Sequence, residues 1–200
     1  MRRKFLVCIS LLMITAGARS QKSAGYLDSV KDFRANYILT HEVVKGSDRS
    51  YLQFFPIDPA YQVACRFEKV NDSQWFVMNS TGNIKKNYRI YGKLTFQLHD
   101  SSLQLCIYQS QSLMFNKDYA DYLFIPFGDL TNGEETHATG RYLECHMGDI
   151  EQQRLILDFN KAYNPYCAYG SGYNCPIPPA DNQLHVAIRA GEKNFGKKIP

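Results

Sequence analysis

Polar side chains gather in two stretches of this chain. The first runs from Asp129 to Arg141 and holds Asp129, Thr131, Glu134, Glu135 and Arg141 beside Gly128 and Gly133. The second runs from Asp158 to Cys175 and holds Asp158, Asn160, Tyr163, Asn164, Cys167 and Cys175. Carboxylates, amides, hydroxyls and a guanidinium concentrated in this way are the groups that fix a small polar ligand in a pocket. Asp129, Thr131, Glu135, Arg141, Asp158, Asn160, Tyr163 and Asn164 are therefore the candidate ligand contacts, in a pocket between segments 129–141 and 158–175. Arg141 alternates with Leu143 and Cys145, which places its guanidinium on the less exposed side of a strand. A buried guanidinium needs a carboxylate partner, and Glu134, Glu135 and Asp158 are the candidates near it in sequence. Two readings stand: a structural ion pair, or a bidentate grip on an anionic group of a ligand. Glu134 and Glu135 are adjacent, and so make a weak general acid/base pair.

The strand pattern from Arg154 to Asn160 sorts its residues by face. Leu155, Leu157 and Phe159 point one way; Ile156, Asp158 and Asn160 point the other. Asp158 and Asn160 then sit together where the chain enters Tyr163-Asn164-Pro165, either bracing that turn or lining a cavity. Cys167 and Cys175 enclose seven residues. They read as a disulfide worth about 2–3 kcal/mol, as packing thiols, or as site thiols with His137 the best-placed base. Cys65 and Cys145 lie in strand patterns and read as buried small hydrophobes. No CxxC or HxxxH spacing supplies a zinc site, so no metal is expected. No GxSxG, HExxH, phosphate loop or dinucleotide fingerprint occurs, and no cofactor is indicated. The five histidines are scattered.

The elements that must position these groups follow from periodicity. Tyr26, Val30, Phe33 and Tyr37 form the stripe of an amphipathic helix from about Ala24 to Leu39, packed on the body of the domain. His41 to Ser50 reads as a polar connector. Strands are predicted at Tyr61 to Val70 and Gln74 to Met78. A hairpin then carries Leu94, Phe96 and Leu98 against Leu103, Leu105 and Ile107. Lys117 to Tyr122 reads as one helical turn. Leu123 to Phe127, Arg141 to Met147, Arg154 to Asn160 and Leu184 to Ala190 complete about eight strands. The fold class is mainly β (α+β), a twisted antiparallel sheet curled toward a barrel or sandwich with one N-terminal helix.

Residues 1–20 read as an address. Arg2, Arg3 and Lys4 precede the apolar run Phe5 to Thr15, and Ala18 and Ser20 set a cleavage before Gln21, with a second option before Arg19. At eleven residues the run is too short to span a bilayer, and no later segment approaches that length. The whole chain of 200 residues carries 23 Lys and Arg against 19 Asp and Glu. Four of the basic residues and none of the acidic ones lie in residues 1–20, so the mature part is formally neutral. That balance argues against a nucleic-acid surface. The expected organisation is a signal peptide at 1–20, helix and connector at 21–50, one β-rich domain at 51–195 and a tail at 196–200. The location expected is periplasmic or secreted, with no membrane span after cleavage.

Several runs of residues also resemble a known family in their order. They include Tyr91-Gly92-Lys93-Leu94-Thr95-Phe96, Tyr122-Leu123-Phe124-Ile125-Pro126-Phe127 and Thr131-Asn132-Gly133-Glu134-Glu135-Thr136. Gly140-Arg141-Tyr142-Leu143 continues the match. Asp158-Phe159-Asn160-Lys161-Ala162-Tyr163-Asn164-Pro165, Cys175-Pro176-Ile177-Pro178-Pro179 and Ala190-Gly191-Glu192-Lys193 are the most specific. Together they cover about Tyr51 to Phe195 and resemble domain of unknown function 1684, a bacterial and archaeal family. His137-Ala138-Thr139 departs from the family's usual tyrosine followed by glycines. The resemblance implies no activity and no catalytic residue. It also implies that Cys167 and Cys175 need not be bonded, because members without an export signal keep both. Two functions are carried forward: an exported protein binding or acting on a small polar or anionic ligand, and a non-catalytic envelope module that binds protein and whose C-terminal motif is a structural brace.

Overall fold

A computed structural model of the chain describes residues 25–198. The expected signal peptide and its cleavage at Ser20 and Gln21 lie outside the described residues. Helix α1 spans 25–40 and turns its predicted stripe onto the domain, with Val30 fully buried. It is held as much by polar reach as by packing. The Tyr26 hydroxyl donates to Asp158, and Arg34 donates to the carbonyls of Phe55 and Asn160.

Seven strands follow: β1 (Gln62–Lys69), β2 (Phe76–Met78), β3 (Lys86–Leu98), β4 (Ser101–Ser110), β5 (Tyr122–Phe127), β6 (Arg141–His146) and β7 (Arg154–Asp158). They form one antiparallel sheet in the order β6-β5-β4-β3-β1-β7, with β2 beside β3. The predicted hairpin is β3–β4, where Leu94 faces Leu105 and Phe96 faces Leu103. β3 is bulged between Ile90 and Gly92, and a Cβ on Gly92 would stand 2.2 Å from the Phe67 ring. Such a bulge bends the strand and helps curl the sheet into a half-barrel. Its concave face holds the main core, including Leu94, Leu105, Ile107, Leu123, Ile125 and Phe127. A smaller cluster on the other face centres on Tyr88, Tyr108, Phe124 and Tyr142.

Two expectations are corrected. The turn read at Lys117 to Tyr122 is a 3-10 turn at Leu113–Phe115. Leu184 to Ala190 is not a strand. It lies extended with Leu184, Ile188 and Ala190 buried, but its carbonyls at Ile188 and Ala190 accept from the Arg141 side chain rather than from a strand. Period-two burial reports an extended backbone, and ladder pairing is a separate matter.

Asn182 shows how this irregular segment completes the sheet. β4 and β5 share the registered pair Tyr108 and Phe124, so Cys106 falls opposite Pro126, which has no N–H to give. The fully buried Asn182 amide inserts there. It accepts from Cys106 N at 2.7 Å and donates to the carbonyls of Cys106 and Pro126 at 2.9 and 2.6 Å. One side-chain amide thus replaces the missing ladder bonds.

Candidate functional site

The predicted polar residues fall into separate buried networks before any of them reaches a cavity. Arg141 and Asp129 pair at 2.9 Å with both side chains fully buried. Asp129, which opens a turn to Asn132, takes the place expected for Glu134, Glu135 or Asp158: Glu134 is exposed, Glu135 pairs with Arg189, and Asp158 bonds Tyr26 and Asn160. Its second oxygen accepts from Thr131 N and Oγ1 and from Ile188 N. Arg141 donates further to the carbonyls of Ile188, Ala190 and Glu192. Burial lowers the guanidinium's pKa and the Asp129 carboxylate opposes that shift. Glu135 instead pairs with Arg189 near the surface, at 2.9 Å.

Asp158 and Asn160 do come together, but not on a strand face: β7 ends at Asp158, whose side chain caps the 3-10 turn Phe159–Lys161. Asn160 Nδ2 donates to Asp158 Oδ1 at 3.1 Å and to the Tyr26 hydroxyl at 2.9 Å, and Asn160 Oδ1 accepts from Asp58 N. Asn164 joins a network that the sequence did not reveal. Its N–H donates to Glu192, a fully buried carboxylate that also accepts from the hydroxyls of Tyr37 and Tyr169. Gly191 makes that placement possible: its φ is +77°, and a Cβ there would meet Ala162 O at 2.6 Å. Burial and the Glu192 carboxylate push both tyrosines' pKa values well up, so they remain donors. The sequence signal was the charged residue at the end of the Leu184–Ala190 alternation.

The concave space lies elsewhere, in the seam of the half-barrel. β6 and β7 are consecutive in the chain and form the two edges of the sheet, yet they are not paired with each other. Among the described residues the seam is closed by the chain just beyond β7, where Tyr142 N donates to Tyr163 O at 2.8 Å and Tyr163 N returns a bond to Tyr142 O. Beyond this bridge the hairpin splays, leaving a groove of about 570 Å³. Leu143, Cys145, Leu155 and Leu157 give it apolar walls, and Phe33 of α1 lies across it. Glu144, Asp149, Glu151 and Asp158 add carboxylates against a single lysine, Lys161. The peptide of Tyr142 faces the seam, so by the two-residue period the peptide of Glu144 faces it too. The Glu144 side chain accepts from the hydroxyls of Tyr122 and Tyr163 at 2.9 and 3.0 Å. Tyr163, Asp158 and Asn164 thus line the seam groove or its neighbours, whereas residues 129–141 line none of them.

Cys167 and Cys175 are bonded to each other. A nucleophile on Cys167 served by His137 is therefore not available. Burial pushes the thiols of Cys65 and Cys145 up to about 12, which keeps them protonated and unreactive. Among the described residues, no three His, Cys, Asp or Glu side chains are gathered to hold a metal ion. Thiol titration in denaturant should detect Cys65, Cys106 and Cys145 before reduction, and Cys167 and Cys175 only after it. Reduction should also lower stability by about 2–3 kcal/mol, the loop-entropy value for so short a ring. Equal thiol counts before and after reduction would contradict the bond.

Among the described residues no helix is long and apolar enough to cross a membrane. Residues 49–193 match a family described as protein of unknown function (DUF1684). No curated protein matches the chain. Among solved structures, it is similar to an uncharacterised protein of Haloarcula marismortui solved by solution NMR. The two are 26% identical with a TM-score of 0.62, over 88% of this chain and 96% of the other.

Proposed function

The chain belongs to the DUF1684 family of proteins of unknown function, and from that premise we propose that it is an exported protein holding a small polar ligand in the groove of the splayed β6–β7 hairpin. The observation that carries this reading is the groove itself. A sheet that curls far enough to bring its two edges together, closes them with one bridge and then parts them has left room of ligand size where ladder bonds would otherwise lie. Its walls combine apolar side chains with a few convergent polar groups, the composition of small-molecule sites.

The charge of the site differs from the anionic ligand expected at first. Arg141 is committed to Asp129 and to the backbone of residues 188–192. The groove's four carboxylates stand against one lysine, which favours a neutral or cationic polar ligand. Export rests on the basic and apolar pattern of residues 1–20, and a disulfide fits an oxidising compartment.

Ligand-observed NMR with a panel of small metabolites tests the binding reading. Hits are expected on the mature protein and should be lost in Ile156→Trp, which fills the groove from a side chain that is 60% exposed. A panel without hits, or hits untouched by Ile156→Trp, would turn the reading toward a protein-binding envelope module. N-terminal sequencing of the exported protein should begin at Gln21 or Arg19. A chain retaining Met1 would overturn cleavage.

A further inference from the structure

We propose that the end of this groove beneath α1 is an aromatic-walled chamber for a small organic cation, an amine or quaternary ammonium. The inference rests on the ligand-binding reading above and gives its ligand a chemical class. Phe33, Glu144 and Tyr163 line both the seam groove and a second chamber of about 390 Å³. Five rings wall that chamber: Phe33, Tyr37, His41, Tyr163 and Tyr166. Their centroids are 6.1 Å apart for Tyr37 and Tyr163 and again for His41 and Tyr166. Aromatic rings lining a space attract a cation through their quadrupoles, most of all where water is partly excluded.

Two carboxylates, Glu42 and Glu144, complete the walls, and among the described lining residues there is no lysine or arginine. Each carboxylate receives only phenol hydroxyls. Tyr166 donates to Glu42 Oε2 at 2.6 Å, and Tyr122 and Tyr163 both donate to Glu144 Oε2. Neither is in an ion pair among the described residues, and Oε1 of each is left open to a ligand. The nearest lysine of the seam, Lys161, places its ammonium over the Phe33 ring at 5.4 Å from the centroid, the interaction proposed for the ligand.

His41 contributes an uncharged ring to that wall. It is 4% exposed, and its Nδ1 accepts from the N–H groups of Val43 and Val44 at 3.2 and 2.9 Å. The neutral ring must then carry its proton on Nε2, a buried donor without an acceptor among the described residues. That nitrogen is closed to solvent, and the rings packed edge to face with His41 are Tyr37 and Tyr169. Burial depresses the His41 pKa to about 4, so the imidazole brings no competing charge at neutral pH.

Calorimetry on the mature protein with choline and with its neutral carbon isostere, 3,3-dimethyl-1-butanol, tests the cationic class. Choline is expected to bind, and the isostere at least about tenfold more weakly. Glu144→Gln and Tyr166→Ala should each weaken choline about tenfold, while Glu134→Gln leaves it unchanged. Equal binding of choline and the isostere would overturn the cationic class and leave the ligand-binding reading standing. Binding of citrate in place of choline would overturn it in the same way. If neither probe binds and the metabolite panel is silent as well, both readings fall.

Discussion

Arg141→Leu is expected to lower the free energy of unfolding by about 4 kcal/mol, read as a fall in the urea midpoint at unchanged slope. The guanidinium is fully buried and makes four bonds at once, to Asp129 Oδ2 and to the carbonyls of Ile188, Ala190 and Glu192. Truncation strands a buried carboxylate, and an uncompensated charge in low dielectric is what makes such losses large. The double variant Arg141→Leu with Asp129→Leu separates two accounts of the pair. Many buried ion pairs can be exchanged for apolar groups with little loss. Here the exchange would still leave three carbonyls without a donor, along with the N–H groups of Thr131 and Ile188. The double variant should therefore remain well below wild type. A single variant within about 1 kcal/mol of wild type, or a double variant that regains full stability, would show that the arginine does not tether the C-terminal segment.

That tether explains what could and could not be read from the sequence. The β3–β4 hairpin was legible because alternation and a short turn are local signals, and Leu94 and Leu105 are fully buried opposite each other. Asp158 and Asn160 meet because Asp158 caps a 3-10 turn, not through strand period. The inward face of Arg141 was legible, since strand period fixes which side chains share a face. The identity of Arg141's partner was not. Glu134 and Glu135 are nearer in sequence, but the carboxylate directed into the core is that of Asp129, where the turn to Asn132 opens, and turn geometry is weakly encoded. Residues 184–190 alternate as a strand does, because they lie flat on the barrel with one side buried. Their backbone bonds go largely to Arg141, Asp129 and the chain at Gly128 and Leu130, a distinction that burial period does not carry. The seam was hidden for a related reason. β6 and β7 read as ordinary neighbouring strands, and whether two such strands pair or part depends on curvature summed over the whole sheet.

Glu192 provides a test in which pH rather than truncation moves the fold. Burial pushes its pKa up to about 7 from the usual 4.5, despite bonds from Asn164, Tyr169 and Tyr37 that favour the charged form. The folded state therefore holds the proton more tightly than the unfolded state does. The stability this contributes is full below pH 4.5 and is lost as pH rises through 7, amounting to about 3 kcal/mol. His41, packed edge to face against Tyr37 and Tyr169, acts in the opposite sense. Its pKa falls from 6.5 to about 4, so its contribution is full above pH 6.5 and is lost as pH falls through 4. Over the shared window the two slopes oppose each other, and the wild-type curve alone reveals neither. Arg141 stays charged throughout, and Tyr37 and Tyr169 stay neutral. Comparing wild type with Glu192→Gln isolates the carboxylate. From pH 4.5 to 7.5 the glutamine variant should gain up to about 3 kcal/mol relative to wild type, because it mimics the protonated form and has no proton to lose. Parallel curves across that range would mean that Glu192 is ionised in the folded state throughout, with its three donors outweighing the cost of burying the charge.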